Sequence, residues 1–210
     1  MGLNSPGYFA EYTLVDAACA VVVPASAADQ SATLAPLFYA GITVWDALER
    51  TELKPGQTVA VVGAGGLGQI AVRYAHELGA KVIAFDVRDE QLQACKADGS
   101  ADEVINTTGL DTGALAAKVK EANSRRLLDT AIVCSGIVPA YNTALGIVKA
   151  EGNVVLVGLP YQPIPVPAAL VTGKCIKLIG AKVPGPAGTQ KCLDFVIRKG
   201  LYPKINLRKF

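Results

Sequence analysis

The segment that most constrains this chain runs from Val59 to Gly68. Val59-Ala60-Val61-Val62 is a short apolar run that stops at a glycine, as a buried parallel strand does. The loop Gly63-Ala64-Gly65-Gly66-Leu67-Gly68 follows directly. Leu67, Ile70, Ala71, Tyr74, Ala75 and Leu78 then recur at helical spacing, with Gly79 in the position of a C-terminal cap. Strand, G-x-G-x-x-G turn and helix in immediate succession predict a βα unit whose helix begins bare. Such a terminus presents unsatisfied N–H groups and the positive end of the helix dipole, which together suit a phosphate.

The rest of the chain keeps this rhythm. Strands are expected at Lys81–Phe85, Glu103–Asn106, Thr130–Cys134, Asn153–Val157 and Cys175–Lys182. Helices are expected between them: one capped by Asp89 and running to about Asp98, one over Thr112–Ala122, and one opened by Pro139 and ending near Val148. A last stripe of Thr189, Leu193, Val196 and Ile197 is closed by Gly200. The pattern predicts an α/β fold, a doubly wound parallel six-stranded Rossmann sheet with right-handed crossovers. Residues 1–30 read differently. Tyr8–Val15 and Ala20–Val23 suggest short strands and Pro24–Asp29 a loop. A helical stretch from about Ser31 to Thr51 follows, with a break near Gly41. The expected division is therefore a short β remnant over 1–30 and a dinucleotide-binding domain over 31–210.

Composition excludes several classes. The net charge is +2 and no Lys/Arg block is dense, which speaks against nucleic acid as a partner. No apolar run approaches a membrane span, and no signal peptide precedes Tyr8. The five cysteines are odd in number and form no C-x-x-C pair. They read as small apolar fillers in a reducing, cytoplasmic setting rather than as a disulfide framework or zinc knot.

Within the loop each glycine has its own task. Gly63 permits the tight turn, Gly65 lets the backbone approach a pyrophosphate, and Gly68 allows close packing of helix on strand. Gly66 and Leu67 complete the cradle. Asp86 lies 18 residues beyond Gly68, at the end of the next strand. A carboxylate there accepts ribose hydroxyls and repels a 2′-phosphate, which favours NAD over NADP. Arg88 beside it leaves NADP open.

These and other segments resemble the medium-chain, zinc-type alcohol dehydrogenases. The resemblance rests on Gly7-Tyr8-Phe9-Ala10-Glu11-Tyr12, Gly41-Ile42-Thr43-Val44, Leu53-Lys54-Pro55-Gly56, the glycine loop with its strand, Asp86-Val87-Arg88-Asp89-Glu90 and Val155-Leu156-Val157-Gly158-Leu159-Pro160. It covers nearly the whole chain. It implies NAD(P)-linked interconversion of alcohols and carbonyls, with the nicotinamide near Thr43, Cys134-Ser135-Gly136 and Gly158-Leu159. It also implies that the sixth strand pairs with its copy in a second subunit.

Three departures from the family pattern matter. The large catalytic domain that normally comes first is represented only by Gly7–Val23. Tyr39 stands where the zinc enzymes usually carry a cysteine ligand, and the family's returning tail is mostly missing after Phe210. A catalytic zinc needs three protein ligands. The single histidine, His76, falls off the apolar stripe of its helix and reads as a surface residue. No metal site is therefore expected.

Without zinc, the oxyanion of a carbonyl under reduction needs another donor. Tyr39 is the candidate, since a phenol can give a hydrogen bond or a proton. The alternative is that its ring fills vacated space. Thr43 is the second catalytic candidate, or a cofactor contact. Tyr141 and Tyr161, in the segments after the fourth and fifth strands, either touch a substrate or pack their loops. Trp45 reads as core, and Lys149 and Glu151 as solvated charges.

The reading that follows is a zinc-independent, NAD-linked oxidoreductase acting on a small alcohol or carbonyl, truncated to its cofactor domain. Two others stand beside it: a non-redox enzyme using an opened cleft for cyclisation or rearrangement, and a non-catalytic NAD-binding fragment or partner subunit. Apolar surface expected around Leu37, Phe38 and Tyr39 predicts a homodimer or larger assembly.

Overall fold

The computed structural model describes residues 10–205. Six strands form one parallel sheet: β1 (Thr58–Val62), β2 (Lys81–Asp86), β3 (Glu103–Asn106), β4 (Leu128–Val133), β5 (Val148–Leu156) and β6 (Lys177–Gly180). Their order in space is β3-β2-β1-β4-β5-β6, and every pair is parallel. The order reverses between β1 and β4, so the sheet is doubly wound as expected.

Eight α-helices accompany it: α1 (Ser31–Leu34), α2 (Ala40–Arg50), α3 (Gly66–Glu77), α4 (Asp89–Ala97), α5 (Thr112–Ala122), α6 (Val138–Ile147), α7 (Ala168–Lys174) and α8 (Pro186–Lys199). Side-chain alternation along the strands divides the core into two. Val59, Val61, Val82 and Ala84 face α2, α3 and α8 on one side, where Trp45 stacks on Phe195 at 4.9 Å. Ala60, Val62, Ile83 and Phe85 face α5 and α6 on the other, with Leu115, Val119 and Tyr141. Burial on both faces is why the strands read as continuous apolar runs.

Several expectations need correction. Residues 10–24 contain no strand; Ala17–Cys19 is a short 3-10 turn, and Tyr12, Leu14 and Val22 are exposed. No neighbouring strand takes up these backbone groups, and a strand without a partner has no ladder to stabilise it. Tyr8 and Phe9 lie outside the described residues. The helical break falls at Tyr39 (φ −131°, ψ −63°), two residues before Gly41. Asp89 opens α4 without capping it, because its carboxylate accepts from Asn106 Nδ2 at 2.7 Å instead.

α7 carried no sequence signal. It is short, has no buried residue, and ends on Cys175 in a left-handed conformation (φ 52°) with no glycine to mark the stop. Only some of the cysteines are fillers. Cys95 and Cys192 are buried and Cys134 partly so, but Cys19 and Cys175 are exposed. Lys149 and Glu151 are exposed, as read, and Lys149 also pairs with Asp129 at 2.6 Å. Leu37 is buried, so of the expected apolar surface only Phe38 and Tyr39 are open. His76 is exposed, as read. No helix among the described residues is long and apolar enough to cross a membrane.

Candidate functional site

The carboxyl ends of β1, β2, β4 and β5 meet around the glycine loop. The Gly63 N–H donates to Phe85 O (2.7 Å), and the Cys134 N–H donates to Val62 O (2.9 Å). The loop is thereby tied to the strand on each side. Gly63 has φ +96°, in the left-handed region that favours glycine, and a Cβ there would lie 2.9 Å from Ser135 Cβ. A Cβ on Gly68 would overlap the Gly63 carbonyl, so α3 stands directly on the turn. Gly65 and Gly66, by contrast, have nothing within 4 Å of an added Cβ. Two glycines are thus required by protein contacts and two border open space, which is the distribution a phosphate cradle at a helix N-terminus needs. Leu67 begins the buried side of α3, in contact with the core.

Asp86 ends β2 and turns its carboxylate towards this loop. Oδ2 accepts the Ala64 N–H at 2.7 Å, and Oδ1 accepts from Val87 N (2.8 Å) and Arg88 N (3.0 Å). The Arg88 guanidinium stands 3.6 Å away, largely exposed. An ionised carboxylate offers about four lone-pair sites. Three are engaged by backbone N–H groups, and capacity for a further donor remains. Next to Asp86 a cleft opens between Val87, Thr107, Ile137 and Pro139, on the α6 side of the sheet. Sequence reading missed Thr107, Ile137 and Pro139. The signal available for them was position alone: each follows the carboxyl end of a strand, where ligands bind in such sheets.

On the far side of the reversal, Ser135 and Gly136 follow β4, and Gly158 and Leu159 follow β5. A Cβ on Gly158 would overlap the Ser135 carbonyl, and one on Gly136 would lie 3.1 Å from Leu159 O. The two turns therefore touch backbone to backbone. Leu159 and Tyr161 project into solvent. Burial pushes the Cys134 thiol up to about 12, so it stays protonated and is no nucleophile.

Tyr39 and Thr43 stand at the start of α2. Thr43 Oγ1 donates to Tyr39 O at 2.6 Å, so its hydroxyl proton is committed within the helix. Tyr39 is 76% exposed, which does not fit a space-filling role. The neighbouring Ala40 borders the same surface depression as Gly66 and Leu67, so the start of α2 lies beside the cradle. Trp45 is core, though its buried Nε1 has no partner. Among the described residues no three His, Cys, Asp or Glu side chains converge as a metal site. The described residues do not supply the ligand set of a zinc centre.

Residues 66–198 match the family model described as zinc-binding dehydrogenase. The chain belongs to that family. An alcohol dehydrogenase of Geobacillus stearothermophilus is 36% identical over 194 residues, which is 92% of this chain and 55% of the relative. Among solved structures, CAD from Helicobacter pylori, complexed with NADP(H), is 28% identical with a TM-score of 0.69. That match covers 84% of this chain and 48% of the other. An Escherichia coli CFT073 alcohol dehydrogenase complexed with NADH superposes with a TM-score of 0.81 over 96% of this chain and 57% of its own. At 24% identity it shows the fold alone. The chain thus spans about half the length of the dehydrogenases it matches.

Proposed function

We propose that this chain is the cofactor-binding part of an NAD-linked, alcohol dehydrogenase-like oxidoreductase acting on a small alcohol or carbonyl in the cytoplasm. The observation that carries the reading is the glycine loop: contacts within the protein require Gly63 and Gly68, while Gly65 and Gly66 leave a cradle empty at the N-terminus of α3. The H. pylori protein holds NADP(H), which supports a nicotinamide cofactor. Asp86 supports NAD over NADP, because a 2′-phosphate would approach a carboxylate already fixed in place.

In this reading Gly63, Gly65, Gly66, Leu67 and Gly68 seat the pyrophosphate. Asp86 and Arg88 border the adenosine ribose. Cys134, Ser135, Gly158 and Leu159 border the other nucleotide. When bound, the nicotinamide supplies the hydride acceptor for an alcohol, or the hydride donor for a carbonyl. A carbonyl that receives the hydride then needs a proton or hydrogen bond at its oxygen, and the exposed phenol of Tyr39 is our candidate donor. Thr43 acts through its hold on the Tyr39 carbonyl. Zinc independence is part of the proposal, and Tyr39, in place of the family's usual cysteine ligand, supports it.

We further propose a homodimer through β6. That strand pairs only with β5 among the described residues and leaves its other edge open, with Leu178 and Val183 exposed nearby.

Titration with NADH and NADPH, followed by nicotinamide fluorescence and calorimetry, tests the reading. Saturable NADH binding tighter than NADPH is expected. No binding of either overturns the cofactor reading, and tighter NADPH binding overturns the preference.

A further inference from the structure

One hydroxyl in the core is aimed at the cofactor cleft from behind. Tyr141 lies on α6, one turn beyond the Ser135–Gly136 loop, and is 1% exposed. Its hydroxyl donates to the Gly158 carbonyl. Gly158 is also held by its N–H, which donates to Val133 O at 2.8 Å; the Val157 N–H donates to the same oxygen at 3.2 Å. With the Ser135 carbonyl packed against its Cα, this residue is fixed from three directions, and the Tyr141 hydroxyl holds the Gly158–Leu159 peptide.

The topology gives that peptide its importance. The glycine loop and Asp86 belong to the β1-β2-β3 half of the sheet, so they take the first nucleotide of a dinucleotide laid across the reversal. The second nucleotide then lies over the carboxyl ends of β4 and β5. Those ends are Ser135–Gly136 and Gly158–Leu159. Every other constraint on Gly158 comes from main-chain atoms of β4 and its turn. The Tyr141 hydroxyl is the side-chain tie.

Resting on the cofactor reading above, we propose that Tyr141 is a positioning residue. It locks the Gly158–Leu159 turn as the wall that meets the second, nicotinamide-bearing nucleotide, and it touches neither cofactor nor substrate. A phenylalanine would fill the same space without the donor. The hydroxyl also persists as a donor, since burial raises its pKa above the ordinary phenol value.

Two ligands separate this role from a merely structural one. ADP-ribose carries the adenosine and pyrophosphate but no nicotinamide, whereas NADH carries both. Calorimetry on Tyr141→Phe should show NADH weakened about threefold to tenfold, the worth of one hydrogen bond, with ADP-ribose unchanged. Equal weakening of both ligands, or no weakening of either in a folded variant, overturns the proposal.

Hydrogen exchange on the unaltered protein gives an answer that does not depend on the variant folding. NADH should protect 156–161 beyond what ADP-ribose does, and equal protection by the two overturns the proposal. If the unaltered protein binds neither ligand, the cofactor reading itself fails and takes this inference with it. If it binds both and the variant does not discriminate, only the role of Tyr141 fails.

Discussion

The Asp86 carboxylate accepts the Ala64 N–H at 2.7 Å across 22 positions of sequence. The acid at the end of β2 is therefore a brace for the glycine loop as well as a group bordering the adjacent cleft. Ala64 is fully buried, so removing the acceptor leaves its N–H without a partner or water. Asp86→Ala should cost about 1–3 kcal/mol of stability in urea unfolding, since a buried donor is orphaned. It should also narrow the gap between NADH and NADPH affinity. Asp86→Asn keeps an oxygen for Ala64 but turns its NH2 towards the N–H groups of Val87 and Arg88, so it should recover part of the stability while still losing the discrimination. If Asn and Ala variants lose stability equally, the brace is not the hydrogen bond described.

The glycines should separate by position. Gly68→Ala drives a methyl into the Gly63 carbonyl, and backbone cannot yield cheaply there. We expect loss of the cooperative melt or a destabilisation of about 3 kcal/mol or more, as for overpacking at its most severe. Gly65 has φ −69° and open space at its Cβ. Gly65→Ala should melt within a few degrees of the parent, yet bind NADH more weakly, because the methyl occupies the cradle. A Gly65→Ala protein that binds NADH normally would place the pyrophosphate elsewhere.

Much of this was legible in the sequence, for identifiable reasons. β1, the glycine loop and α3 combine a run buried on both faces with residues of fixed backbone demand, so local pattern and fold agree there. α5 matches its expected span because Leu115 and Val119 mark its inner face; the Asp111 cap is a finding of the structure. The N-terminal strands were misread because alternation in Tyr12–Val15 predicts a strand only where a neighbouring strand exists to pair with. The brace from Asp86 to Ala64 and the tie from Tyr141 to Gly158 join residues 22 and 17 apart. Periodicity carries no information about such contacts. Tyr141 was read only as either a substrate contact or a loop residue, because helix position does not tell where a phenol ends.

Acid should act through Asp129 at the amino end of the sheet. Burial alone would raise its pKa, but the Lys149 ammonium and the Thr58 N–H and hydroxyl outweigh it and hold the carboxyl below its usual value. A carboxyl depressed on folding adds stability that is full above its unfolded pKa, about 3.9. That stability is lost as pH falls through the lower folded value. Asp129→Asn should therefore destabilise the protein at neutral pH, and the difference from the parent should shrink in urea unfolding carried below about pH 4. A difference that stays constant into acid would show that the carboxylate charge is not what Thr58 and Lys149 hold.

The open edge of β6 gives the last test. Lys177–Gly180 is short and carries a charge at its first residue, which blunts an edge against indiscriminate pairing. Leu178 is nevertheless 38% exposed in a strand whose far side is bonded to β5. A symmetric pairing of two copies would continue the sheet and cover Leu178 in each, and a two-fold axis makes the same patch complementary to itself. Sedimentation of the parent should give a dimer, and Leu178→Asp should shift it to monomer by bringing two like charges together at the joint. The glycine loop lies beyond β5 and β4 from that edge, so the monomeric variant should bind NADH as the parent does. A monomeric parent, or a Leu178→Asp protein that stays dimeric, removes the β6 edge as the interface.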